Sequence, residues 1–303
     1  MTKLKIFLNL FKEAFTIFSE NHPVKFASAI AYFSLFALPS IFLIIVFFLS
    51  FIFSESSILR ELQDQLSKVV GSDGAEILVV ITKNYKEQAS ESLFSIFIYS
   101  IIVFWLSTQL FRLFQNSLND LWRLKPDFNS YWKKLWVQRI FPFVLVLLTG
   151  LMFFGSLIIS QGLDFALNSI FGFGLTIEDL GFIINLFTAV MVFFWFSILY
   201  KILPSAKILW EPTFVGAAVT TLLFFIGIWL IWNFVIERDL DDIYDIAASI
   251  IVVALWVFYS SLVFLYGASF TKVYAKMRNK QIAPLPYTYK YDIVKHKDYI
   301  INH

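Results

Sequence analysis

Four polar residues within "RLFQNSLNDLWR" have types and spacing that could do chemistry. Arg112, Asn116, Asn119 and Arg123 recur at intervals of four, three and four, so on a helix they line one face. Guanidinium and carboxamide groups bind anions and polar headgroups, but supply neither a nucleophile nor a general base. Two readings of this stripe stand side by side. Either it walls a cavity open to the cell interior, or it supplies interhelical hydrogen bonds with its arginines at headgroup level. Other clusters offer less. His22, His296 and His303 have no carboxylate at a ligand-like spacing, and no zinc-protease, phosphate-loop or nucleophile-elbow pattern occurs. The acidic run "ERDLDDIYD" (237–245) could hold a cation, though a solvated turn is the simpler reading. The chain has no cysteine, so thiolate chemistry and disulfides are excluded. The expectation is a protein that is not an enzyme and has no metal site and no cofactor.

The elements that must position the stripe are apolar. Of 303 residues 59% are hydrophobic, 19% aromatic and only 15% charged, against about 25% charged in a soluble domain. A membrane span takes about 20 apolar residues. Runs of that kind give spans at about 28–53, 92–112, 138–161, 180–202, 212–236 and 246–271. The expected fold is therefore an all-α integral membrane protein, a bundle of six transmembrane helices in one domain over residues 1–275. The tail, 276–303, rich in Lys, Tyr and Pro, is expected to be poorly ordered. Most of the 24 basic residues fall before the first span, between the second and third, after the fourth and after the sixth. Lysine and arginine concentrate on the cytoplasmic side, so both termini are expected there. Within the first outer loop, 55–91, "SSILRELQDQLSKVV" and "GAEILVVITKNYKEQ" read as short extracytoplasmic helices.

"KIFLNLFKEAFTIFSE" (5–20) is a separate element. Its charged and hydroxyl residues share one arc, and Phe7, Phe11, Phe15 and Phe18 face away from it. Such a helix lies in the inner interface or packs on the ends of the other helices; the pattern allows both. Within the spans, Pro39 removes a helix N–H and frees a carbonyl, which neighbouring groups must satisfy. Tyr32, Ser34 and Ser40 are the local candidates, and Pro39 is expected to mark a break or kink in the first span. Pro204 closes the fourth span. Gly216, Ser260 and Gly267, with nearby alanines and serines, allow close helix approach.

Four stretches in order, "ASAIAYFSLFALPSIFLII", "FQNSLNDLWRLKPDFNSYWKKLWVQRIFPF", "YKILPSAKILWEPTFVGAAVTTLLFF" and "IVVALWVFYSSLVFLYGASFTKVYA", resemble the YihY/virulence factor BrkB family of bacterial inner-membrane proteins. The matching positions begin with Ala29, Ala31, Tyr32 and Pro39, then Asn119 and Trp122, then Tyr200, Leu203, Pro204 and Ser205. They end with Gly216 and Ala217, and with Leu255, Trp256, Ser260, Gly267 and Ala268. The chain departs from the pattern at Ser269, where many members carry a carboxylate, and at Asp245, where many carry glycine. The loss at Ser269 argues against a proton-coupling acid there. The resemblance implies a six-helix inner-membrane protein. A ribonuclease label also attached to the family is opposed by the scattered carboxylates of the cytoplasmic segments. The expected function is a transporter or flippase-like carrier of an amphipathic envelope molecule, a lipid or lipid-linked precursor. The alternative is a structural or assembly factor that transports nothing. Substrate-cavity candidates are Arg112, Asn116, Asn119, Tyr32 and Pro39; helix-packing or hinge candidates are Pro204, Gly216, Ser260 and Gly267. Membrane lipids are the expected partners, nucleic acid is not, and the pattern names no oligomeric partner.

Overall fold

The computed structural model describes residues 3–49, 93–127, 136–141, 181–231, 245–280 and 282–291, with isolated positions between them. In chain order the elements are α1 (Lys3–Glu20), α2 (Pro23–Leu49), α3 (Leu93–Leu121), β1 (Leu124–Pro126) and a π-helical turn (Trp136–Ile140). Then follow α4 (Gly181–Ile202), β2 (Ala206–Lys207), α5 (Trp210–Ile231), α6 (Asp245–Met277), β3 (Ala283–Pro284) and β4 (Thr288–Lys290). Five of the expected spans thus coincide with α2 to α6. The third, 138–161, lies largely outside the described residues, as do the short helices expected within 55–91. By length and composition, Trp210–Ile231 and Ile250–Met277 can each cross a membrane, and Pro23–Ala37 and Leu186–Ile202 are shorter apolar helices.

The helix ends follow from local chemistry. Pro23 opens α2, where its missing N–H costs nothing. Pro204 stops α4 two residues early by barring helical geometry in the residue before it. His22, Arg123 and Asn279 adopt left-handed φ values of 50°, 56° and 55°, each just past a helix end. That conformation turns the chain while the last carbonyls find donors, and it normally favours glycine. After α6, Lys280 N donates to Ala275 O at 2.8 Å.

Helix α6 is the hub: α1, α2, α3 and α5 all pack on it, α2 also meets α3, and α4 meets α5. Small residues set the α5–α6 distance. A Cβ on Gly216 would lie 1.7 Å from Thr271 Oγ1, one on Gly267 1.7 Å from Thr220 Oγ1, and one on Gly227 1.8 Å from Tyr259 Cε1. Aromatic rings fill the centre. Phe264 of α6 stacks on Tyr200 of α4 at 4.9 Å and meets Phe114 of α3 edge-on at 5.0 Å. Helix α1 packs against the C-terminal half of α6 through buried Leu10 and Ala14. Phe11 meets Phe270 at 4.8 Å and Phe18 meets Tyr266 at 5.8 Å, while Phe15 stays exposed. The packing alternative therefore describes the apolar face of α1 better than a purely interfacial helix does.

The fold is mostly helical, as expected, but it also holds two short antiparallel strand pairs, and residues 282–291 of the tail take part in them. Strand β4 pairs antiparallel with β1 (Leu124 opposite Lys290), and β3 pairs with β2 (Ala206 opposite Pro284). Between β3 and β4, Thr288 N donates to Leu285 O at 2.8 Å in a turn with Pro286 in its second position, where proline's fixed φ fits. Asp127 N to Tyr287 O at 2.7 Å and Tyr291 N to Arg123 O at 3.1 Å extend the pairing. The tail therefore ties the end of α3 to the α4–α5 connection. Strands of two or three residues leave only a very short periodic trace in a sequence, which is why the tail read as loose.

Candidate functional site at the end of helix α3

The four residues of the polar stripe end in four settings. Arg112 is half-buried and its guanidinium donates to Gln109 Oε1 at 3.4 Å. Asn116 is exposed. Asn119 is buried and closes a pair of hydrogen bonds with the turn after α4: Ser205 N donates to its Oδ1 at 2.9 Å, and its Nδ2 donates to Ser205 Oγ at 3.2 Å. Arg123 terminates the helix. Around them the same end of α3 is bonded into the bundle. Gln115 Nε2 donates to Leu203 O at 3.0 Å, and Trp122 Nε1 to Ala268 O at 3.1 Å. Lys272 Nζ donates to Leu121 O at 2.8 Å, a cation at the negative end of the helix dipole.

Beside this junction lies a cavity of about 550 Å³. Asn116, Asn119 and Asp120 of α3 form one wall, with Leu124, Lys125 and Pro126 of β1 below them. Tyr289 and Tyr291 of the tail close the other side. A second cavity, about 330 Å³, lies between Gln115, Trp136, Val137, Phe141, Ile202 and Pro204, with Tyr287 at its edge. Tyr287 also bonds to Ser205, so one serine joins α3, the α4–α5 turn and the tail. Partial burial pushes the Asp120 carboxyl above its ordinary range, and Lys25 acts in the opposite direction. Burial also raises the Tyr291 phenol; Asp120 adds to that, while Arg123 and Lys125 oppose it. The first cavity is thus a mixed-charge site with amide and phenol walls. Among the described residues no three His, Asp or Glu side chains gather as metal ligands would.

The other sequence candidates lie elsewhere. Tyr32 is exposed and makes edge contacts with Phe33 at 5.6 Å and Phe36 at 5.5 Å; it lines neither cavity. Pro39 does not break the span: α2 continues through it to Leu49, and its side chain lies outside the described positions. Ser34 donates to Ala31 O at 2.7 Å, not to the carbonyl of Leu35 that Pro39 frees. Gly216 and Gly267 stand at the α5–α6 contact. Ser260 has a buried hydroxyl without a hydrogen-bond partner, as does Thr221. Pro204 is buried and borders the second cavity. Sequence reasoning missed Asp120, Lys125, Tyr289 and Tyr291. The signal was the alternation of tyrosines in "PYTYKY", a period of two that reads as a strand.

The helices show which solvent surrounds the bundle. Leu186, Val190 and Phe194 on α4, Leu222, Ile226 and Leu230 on α5, and Ile251 and Leu255 on α6 form exposed apolar stripes at intervals of four. Contiguous faces of that kind fit hydrocarbon and not water. The fold and its surface define a helical membrane protein. Residues 14–290 match the model of the virulence factor BrkB family, and the chain belongs to that family. It is 25% identical over 291 residues to a UPF0761 membrane protein of Mannheimia succiniciproducens, an alignment covering 92% of each chain. No solved structure matches it.

Proposed function

We propose that this membrane protein is a six-span carrier of the bacterial cytoplasmic membrane, with both termini in the cytoplasm, for an amphipathic envelope molecule such as a lipid or lipid-linked precursor. It is not an enzyme. The observation that supports the reading is the cavity at the end of α3, where an exposed amide, a carboxylate and an ammonium meet in a protein whose helices carry exposed apolar stripes. A polar headgroup fits such a recess while its chains remain in hydrocarbon. With no nucleotide-binding motif in the sequence, movement is passive, gradient-driven or powered by a partner.

A second reading, an assembly factor that moves nothing, draws on the bonds of Gln115, Asn119, Trp122 and Lys272, which tie this end of α3 to its neighbours. Transbilayer movement of fluorescent lipids in vesicles holding the purified protein separates the two. The carrier reading expects accelerated movement that Asn116→Trp, filling the cavity from its exposed wall, abolishes in folded protein. No acceleration across a panel of envelope lipids leaves the assembly reading.

A further inference from the structure

The charges around the cavity restrict what it can hold. Its lining carries one carboxylate, Asp120, and one ammonium, Lys125. Lys25 acts on Asp120 from outside the lining, and Arg123 acts with Lys125 on the phenol of Tyr291. A simple cation would meet three positive groups here. A simple anion would meet the Asp120 carboxylate in the same lining. A ligand carrying both signs a few atoms apart satisfies both. The aromatic walls agree: two tyrosine rings beside a carboxylate are the usual surroundings for a bound ammonium. Asn119 spends its Oδ1 and one N–H on Ser205 and is only 3% exposed, so Asn116 is the accessible amide of this wall. Asn116 remains exposed on the same wall, and its N–H groups can reach an oxyanion beside Lys125.

Depth within the membrane supplies a separate argument. Trp132 and Trp136 are 75% and 58% exposed, and Trp136 borders the neighbouring cavity, which also meets the tail at Tyr287. Trp210, 48% exposed, begins α5 and lies under the Lys201 ammonium at 5.1 Å. Exposed indoles gather where headgroups meet hydrocarbon. Trp136, which shares a cavity with Gln115 of α3, supports a headgroup depth for that end of the helix.

We infer that the cavity is a recognition site for a zwitterionic phospholipid headgroup, an ammonium held by Asp120 and the rings of Tyr289 and Tyr291, and a phosphate held by Lys125 and Asn116. The inference rests on the carrier reading and names its substrate class.

Native mass spectrometry of the full-length protein in mild detergent tests this with phosphatidylethanolamine and phosphatidylglycerol of identical chains. The native protein is expected to retain the ethanolamine lipid about tenfold better, the scale of one partly desolvated cation–π or charge-assisted contact. Asp120→Asn should erase that preference. Tyr289→Leu should weaken it and Tyr289→Phe keep it, so the result does not hang on one variant's folding. Lys125→Gln should reduce retention of both lipids. Equal retention by the native protein, or an undiminished preference in both Asp120→Asn and Tyr289→Leu, overturns the inference. Displacement by millimolar free phosphoethanolamine overturns its lipid part, because a soluble zwitterion would then be the ligand. Ethanolamine-selective binding without lipid movement in vesicles defeats the carrier reading and leaves the headgroup site. Movement of some other lipid without this selectivity does the reverse.

Discussion

Replacing Gly267 by alanine is the sharpest structural perturbation the bundle offers. The new Cβ would lie 1.7 Å from Thr220 Oγ1, 2.5 Å from the Tyr200 hydroxyl and 3.1 Å from Thr220 Cβ. None of these can move freely. Tyr200 is fully buried, and its hydroxyl is 2.6 Å from Thr220 Oγ1 and 2.7 Å from Phe264 O. Thr220 Oγ1 in turn lies 2.9 Å from Gly216 O. Rotating Thr220 away would break the contacts that join α4, α5 and α6. Keeping it in place would force α5 and α6 apart and open the Gly216 contact as well. Overpacking costs typically 1–3 kcal/mol, and a buried hydroxyl left without its partner about 1–3 kcal/mol more. The sum is about 2–6 kcal/mol. Equilibrium unfolding of the detergent-solubilised protein in a graded denaturing detergent measures it. Thr220→Ala removes the nearest atom, so the double variant should recover part of the loss and show a coupling of about 1 kcal/mol or more. A Gly267→Ala protein within about 0.5 kcal/mol of native would refute the close-packed account of this contact.

Two further outcomes follow from the end of α3. Asn119→Ala strands the backbone N–H of Ser205, leaves its hydroxyl only Tyr287 as a partner, and should cost about 1–3 kcal/mol in the same unfolding assay, whereas exposed Asn116→Ala should stay within about 0.5 kcal/mol. Asp120 gives a pH signature. Its folded-state carboxyl is raised, so its contribution is fully present below the unfolded carboxyl range and is lost as pH rises through the folded one. Asp120→Asn removes that dependence. The melting temperature of the variant minus that of the native protein should therefore be greater at pH 7 than at pH 4; an unchanged difference would contradict a raised Asp120 carboxyl.

Helix identity was legible because apolar runs of this length carry their own signal: α2, α4, α5 and α6 fall close to the uncharged stretches that foretold them. Close approach at Gly216 and Gly267 was legible for the same reason, since small residues on apolar helices have few other uses. The division of the polar stripe was not. Helical spacing puts Asn116 and Asn119 near each other on α3, yet one is exposed and the other buried against Ser205, a residue distant in sequence. Only the tertiary position of the Pro204–Ser205 turn decides that. The tail escaped notice because its order comes from partners, β1 and β2, that are themselves only a few residues long. Tyr32 drew attention as a polar aromatic beside Pro39, but its position on α2 turns it outward. Asp120 and Lys125 looked like ordinary residues of a helix end and turn, and gained meaning only when the tail brought Tyr289 and Tyr291 across from them.

Because the chain has no cysteine, single thiols can report the cavity directly in native membranes. Asn116→Cys, on the exposed wall, should react with a membrane-impermeant maleimide in everted vesicles and resist it in right-side-out cells. Asn119→Cys should react only after denaturation, since that side chain is buried at 3% exposure. Labelling of position 116 from the cytoplasmic side alone is the result required of a hydrated recess at the end of α3. An inert thiol there in everted vesicles, or one labelled from the outside, would contradict it.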